Sequence, residues 1–151
     1  MATATSPLPV LTVAPAQVIR GNGVLTAAAT AIARLGTRPL VVGGDRTLTG
    51  LKSRLQAVFK PQGMRAKWAS YNPDCSEASV AELRQALAEH QSDLVIGIGG
   101  GKAMDTAKLV AYQAQLPVVT IPTSAATCAA WTALSNVYSD QGAFLYDVGL
   151  P

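Results

Sequence analysis

The sequence predicts an α/β protein, a Rossmann-like and mostly parallel sheet with helices on both faces. Three observations predict it. The runs "RPLVVGG" (38–44), "DLVIGIGGG" (93–101) and "LPVVTIPT" (116–123) are apolar almost throughout, as strands covered on both faces are. Between them lie stretches whose apolar residues recur at helical spacing. Three consecutive glycines, Gly99, Gly100 and Gly101, stand where an apolar run hands over to a helix-like stretch.

The elements follow in order. Residues 1–13, rich in Pro, Ala and Thr, read as a flexible N-terminal segment before a single domain of residues 14–151. "AQVIRG" (16–21) reads as a short strand. Residues 24–36 read as a helix closed by Gly36 at its C′ position, and 38–44 as a buried strand. Residues 47–59 form a helix with Leu51, Leu55 and Val58 on one face, and 64–71 alternate like a strand. Residues 79–90 open with Ser79 and Glu82 at capping-box spacing, and Val80, Leu83 and Leu87 share a face. Strand 93–101, helix 102–115 and strand 116–123 complete the pattern. Right-handed crossovers put the carboxyl ends of the strands on one edge, where such folds bind ligands. The loops "GGDRT", "YNPDCS", "GIGGGK" and "PTSAATCAAW" gather there.

Composition narrows the function. Among 151 residues, 12 are basic and 9 acidic, a formal charge of +3 that no basic run concentrates. A nucleic-acid surface wants a concentrated patch, so this pattern argues against one. Cys75 and Cys128 are far apart and lack metal-ligand spacing, which suits free thiols in a reducing cytoplasm. The start lacks the layout of a signal peptide, and no apolar run has membrane-spanning length. The expected partner is a small molecule, with neither nucleic acid nor membrane.

The glycine loop carries the sharpest signal. It is not a Walker A motif, since Ala103 stands where Ser or Thr is required. It is not a strict dinucleotide fingerprint either, because Lys102 fills the third glycine slot. Glycines nevertheless let main-chain amides approach an anion closely, with a helix start behind them. Lys102 in the first turn faces the positive end of the helix dipole. It makes sense there as the partner of an anion, such as a phosphate, or as a cap on a nearby carbonyl; the plain alternative is a tight turn with Lys102 solvated. Asp105 suits a helix start and has a structural reading as well as a cofactor-binding one. Asp45, just past a strand, is placed either for ribose hydroxyls or as an N-cap of the next helix. Thr123, Ser124, Thr127 and Thr132 supply hydroxyls along a loop against which a flat ligand can lie; they also suit plain capping.

"GIGGGKAMDTAKLVA" followed by "LPVVTIPTSAATCAAWTALSNVYSDQG" resembles the glycerol dehydrogenase branch of the iron-containing, metal-dependent alcohol dehydrogenases. That branch shows a GGGK-x-x-D-x-A-K segment and then a P-T-x-A-S-T-D-A-P-x-S-A-L-S-x-x-Y stretch. The resemblance runs from about Ala14 to the end of the chain. It implies that 14–151 is a dinucleotide-binding domain taking NAD, with Gly100, Gly101 and Lys102 at the pyrophosphate. Asp45 lies by the adenine ribose, which implies NAD rather than NADP, and Thr123, Thr132 and Leu134 line the rest of the cleft. The implied reaction moves a hydride between an alcohol or polyol and NAD, aided by zinc or iron in the full-length protein.

Two departures qualify the resemblance. Cys128 stands where the branch carries an aspartate facing the polyol, so a substrate-proximal thiol replaces a carboxylate; Trp131 replaces a small residue and narrows the cleft. The family holds its metal in a helical second domain, and no metal site can be assembled from this chain. "GAFLYDVGLP" resembles the strand leading towards that domain, so the chain reads as cut from, or a naturally truncated form of, such a protein, inactive by itself. Apolar surface left bare would favour a homo-oligomer. His90, the only histidine, is expected to meet carbonyls at a helix end. Rival readings are dehydroquinate synthase-like and glycerol-1-phosphate dehydrogenase-like members of the superfamily, and a non-catalytic nucleotide-binding or interaction module. A phosphorylated substrate would call for cations that the threonine-rich loop does not supply.

Overall fold

Four strands, β1 (Pro39–Gly43), β2 (Lys67–Ser70), β3 (Leu94–Gly99) and β4 (Val118–Pro122), make one sheet in the order β2-β1-β3-β4, every pair parallel. The computed structural model describes residues 14–72 and 74–150. The segment 1–13, expected to be flexible, lies outside the described residues.

The pleat sorts β1 and β3 onto two faces. Val41, Leu94, Ile96 and Ile98 meet α1 (Val24–Ala33) and α2 (Asp45–Phe59) through Ile32, Leu48, Leu55 and Phe59. Leu40, Val42 and Val95 meet α3 (Glu77–His90) and α4 (Gly101–Ala114) through Val80, Leu83 and Val110. Every residue of β1 and β3 is buried, which is why these strands carry no polar alternation. Truncating a fully buried side chain such as Ile96 to Ala would cost about 2–5 kcal/mol. Gly97 sets how near α4 can come, since a Cβ there would lie 2.5 Å from the Ala107 Cβ.

Several boundaries differ from expectation, each for a physical reason. Residues 16–21 form no strand: they pair with none of the described strands, and Val18 and Ile19 are exposed. The first helix ends at Ala33 rather than near Gly36. Gly36 is not a left-handed cap; a Cβ there would come 2.5 Å from the Asp93 Oδ1, so close approach explains the glycine. Helix α3 begins at Glu77, with Ser76 as its cap. The Ser76 Oγ accepts the Ser79 N–H at 3.3 Å, whereas the Ser79 hydroxyl donates to the Asn72 carbonyl at 2.7 Å.

A hairpin of β5 (Leu134–Tyr138) and β6 (Phe144–Gly149) follows the parallel sheet. Only its last strand was anticipated. The first announces itself weakly, by the alternation Ser135–Val137 that buries both against the α4 side and by a turn at Gly142, where φ is 80°. Strand β6 is exposed along most of its length, including Phe144, Leu145 and Tyr146.

Candidate functional site

The chain lays β2 on one side of β1 and β3 on the other, so the strand order reverses between β1 and β3. Beyond the carboxyl ends at such a reversal, loops diverge and leave a crevice, the usual ligand site of open α/β sheets. Gly43 pairs with Ile98 and Gly99 with Pro122. The registers therefore bring Asp45, the glycine loop and Thr123 to the same edge.

The three glycines have three different reasons. Gly99 has φ of 149°, and a Cβ there would meet the Ala103 Cβ at 2.8 Å. A Cβ on Gly101 would approach the Thr127 hydroxyl to 3.0 Å. Gly100 is extended and a Cβ on it would meet nothing within 4 Å, so its side faces open space. Gly100 is also the N-cap of α4 and offers no side chain to cap it, and the first amide to bond back to Gly100 is that of Met104, at 3.2 Å. The amides of Gly101, Lys102 and Ala103 thus have no partner inside the helix. A bare, positively polarised cradle with room beside it fits the diphosphate of a dinucleotide.

Lys102 does not stand alone at that helix start. Its ammonium pairs with Asp74, from the loop after β2, and lies 5.6 Å from the Tyr138 ring centre. The Asp74 side chain is only 3% exposed while that of Lys102 is 53% exposed, so the pair faces outward through the lysine. The Asp74 hydrogen bond raises the Lys102 pKa; partial burial works against it, and the Asp74 charge keeps the net shift upward. The sequence offers an anion of its own where one from outside was expected. Asp74 was legible in part: "YNPDCS" was placed at this edge, and Asp74 is its one carboxylate.

Beside it, Cys75 is fully buried, and burial pushes its thiol up to about 11, an inert group. Asp105 points away from the cradle. It is buried, and forms an ion pair at 3.1 Å with Lys108, while its carbonyl accepts the Ser135 hydroxyl at 3.0 Å. Burial raises the Asp105 pKa despite the lysine beside it. Lys108, which sequence reasoning passed over, also donates to the Thr132 carbonyl at 3.1 Å and to that of Leu134. The second lysine of the GGGK-x-x-D-x-A-K segment therefore clamps the entrance of β5 onto α4, and Asp105 balances it.

The threonine-rich loop is held at its start by the Thr123 amide donating to the Gly99 carbonyl at 2.9 Å. Inside it, the Ser124 hydroxyl accepts the Ala126 amide at 3.2 Å and the Thr127 hydroxyl the Ala129 amide at 3.1 Å. Thr127 lies over Gly101, and Thr132 sits by Lys108. Leu134, Cys128 and Trp131 are exposed. Asp45 is the first residue of α2, whose N-cap is Gly44, and no side-chain cap bond is made. The N-cap reading of Asp45 therefore falls, and its exposed carboxylate is not committed to capping. His90 does bond a carbonyl, but that of Arg65 at 2.8 Å, before β2, and far from this edge.

Comparison with known proteins agrees with this architecture. Residues 15–148 match the model of the iron-containing alcohol dehydrogenases. The chain belongs to that family. It is 49% identical over 146 residues to an uncharacterised oxidoreductase of Synechocystis sp., covering 97% of this chain and 37% of the relative. It is 35% identical over 130 residues to a glycerol dehydrogenase of Escherichia coli, covering 86% and 35% respectively. Among solved structures, a probable glycerol dehydrogenase from Sinorhizobium meliloti superposes with a TM-score of 0.75 at 29% identity, covering 84% of this chain and 34% of that one. The chain spans little more than a third of the length of these curated relatives. The family's metal finds no home here: among the described residues no group of three or more His, Cys, Asp or Glu could hold an ion. No helix among them is long and apolar enough to cross a membrane.

Proposed function

We propose that residues 14–151 form the NAD-binding domain of a metal-dependent alcohol or polyol dehydrogenase of the glycerol dehydrogenase kind, and that this chain binds NAD without turnover by itself. The observation that carries the reading is the open cradle at Gly100, with the unpaired first-turn amides of α4 behind it and Lys102 beside it. Gly100, Gly101 and Lys102 would hold the diphosphate. Asp45, across the β1/β3 reversal, would accept the adenine ribose hydroxyls and repel a 2′-phosphate. Thr123, Ser124 and Thr127 would border the path toward the nicotinamide, with Thr132 and Leu134 behind them. NAD, when bound, supplies the hydride acceptor; this chain contributes binding and orientation.

The described residues do not fit a catalytic metal, since no three His, Cys, Asp or Glu side chains gather among them. Cys128 is exposed on the loop beside the cradle, and as a thiol it cannot accept paired hydroxyl hydrogen bonds as a carboxylate does. This supports an alcohol other than glycerol. Cys75 and Cys128 are both free, which supports a reducing, cytoplasmic setting.

Fluorescence titration with NADH tests the reading, with NADPH as the companion ligand. The wild-type chain is expected to prefer NADH. Asp45→Ser should shift the NADH/NADPH affinity ratio towards NADPH by about tenfold, a change of roughly 1.4 kcal/mol. Absence of heat and fluorescence change at millimolar NADH would overturn it.

A further inference from the structure

Asp74 is a buried carboxylate whose one cationic partner among the described residues is itself a candidate ligand of the cofactor. Its Oδ1 accepts the Cys75 amide at 2.9 Å, and its Oδ2 takes the Lys102 ammonium. The residue is 2% exposed, whereas Lys102 is half open to solvent. Asp74 follows β2, the strand on the far side of β1 from β3, and so approaches the glycine loop from another element than the helix it serves. The ammonium is thereby held on one side by Asp74, with the Tyr138 ring near it, and stays free on the other.

We propose that Asp74 is a positioning residue for the cofactor diphosphate: it holds Lys102 beside the open Gly100 cradle, ready to meet the anion. This rests on the dinucleotide reading of the same site. Two effects of opposite sign meet in Asp74. Its negative charge repels a phosphate, but it also fixes a long, rotamer-rich side chain that would otherwise lose its freedom on binding. With Lys102 present, positioning wins and the ammonium shields the carboxylate. Without a cation at 102, only the repulsion remains.

A purely structural salt bridge would behave otherwise, so a double-mutant cycle separates the two. NADH affinity is measured by fluorescence for the wild-type chain, Asp74→Asn, Lys102→Gln and the double variant, with thermal melts as folding controls. Glutamine keeps a donor for Asp74, and Asp74→Ser is a second neutral variant should Asp74→Asn fold poorly. In the Lys102 background, Asp74→Asn is expected to weaken binding about tenfold. In the Lys102→Gln background the same change is expected to strengthen it by about threefold, as a close negative charge is removed. Equal weakening in both backgrounds, or no effect of Asp74→Asn in either, overturns the proposal and leaves the dinucleotide reading standing. A wild-type chain with no affinity for NADH overturns the dinucleotide reading, and this one with it.

Discussion

At the amino edge of the parallel sheet, Asp93 receives the backbone N–H groups of Thr37 and Arg38 at 3.0 and 2.7 Å. At the carboxyl edge, the start of α4 has no side-chain cap, and a Cβ on its N-cap Gly100 would meet nothing within 4 Å. Both edges present main-chain donors that favour an anion. At one the chain supplies the carboxylate itself and leaves Gly36 bare so that it fits; at the other the glycine leaves the place free. The difference teaches how a fold can treat such donors: the first set is satisfied by a carboxylate from within, and the second is the set proposed to meet a ligand.

The largest expected effect comes from breaking the amino edge. Asp93→Ala should destabilise the fold by about 2–4 kcal/mol, the loss of two charge-assisted bonds, read by urea unfolding at neutral pH. Burial alone would raise the Asp93 pKa, but the two N–H donors outweigh it and the net shift is downward. A lowered folded value means that this stabilisation is complete above the unfolded carboxyl value of about 3.9 and fades as pH falls through the folded one. The gap between wild type and Asp93→Asn should therefore close on acidification below about pH 4.

The next effect lies at the hinge between sheet and cradle. Gly99→Ala should cost about 1–3 kcal/mol in the same assay, because φ of 149° and the Ala103 Cβ both oppose a side chain. The smallest and most diagnostic change converts one edge into the other. Gly100→Asp places a carboxylate cap where the backbone is already extended and space is open. It should stabilise the chain by about 0.5–1 kcal/mol, since Asp is a better N-cap than Gly, while removing NADH binding. A variant that gained stability and kept its affinity would break the contrast.

The parallel sheet was legible because β1 and β3 are short apolar runs that fit no other environment, and the glycines marked where β3 turns; β4, expected to be covered on both faces, is instead an edge strand, partly covered and exposed at Val118 and Pro122. What escaped was tertiary. Asp74 lies 28 residues before Lys102, and only the sheet order brings them together. Lys108 was passed over because its partners lie at the start of the hairpin, whose first strand gives little signal. Residues 16–21 have strand composition, but a strand needs a pairing partner that composition does not encode. The helix start expected at Ser79 lies at Ser76, because the Ser79 hydroxyl is drawn to the Asn72 carbonyl while Ser76 caps the Ser79 N–H. Asp105, chosen as a site residue beside a helix start, is instead turned inward by its pairing with Lys108.

The segment between Thr123 and Thr132 is an arch pinned at both feet, by the Gly99 carbonyl at one end and the Lys108 ammonium at the other, with one brace where the Thr120 hydroxyl meets the Ala130 carbonyl at 3.2 Å. Its remaining bonds are local, so its crown, from Ser124 to Cys128, can shift without loosening either foot. Thr127 is the residue of that crown set over Gly101, so the one part of the arch free of both anchors also lies against the glycine loop.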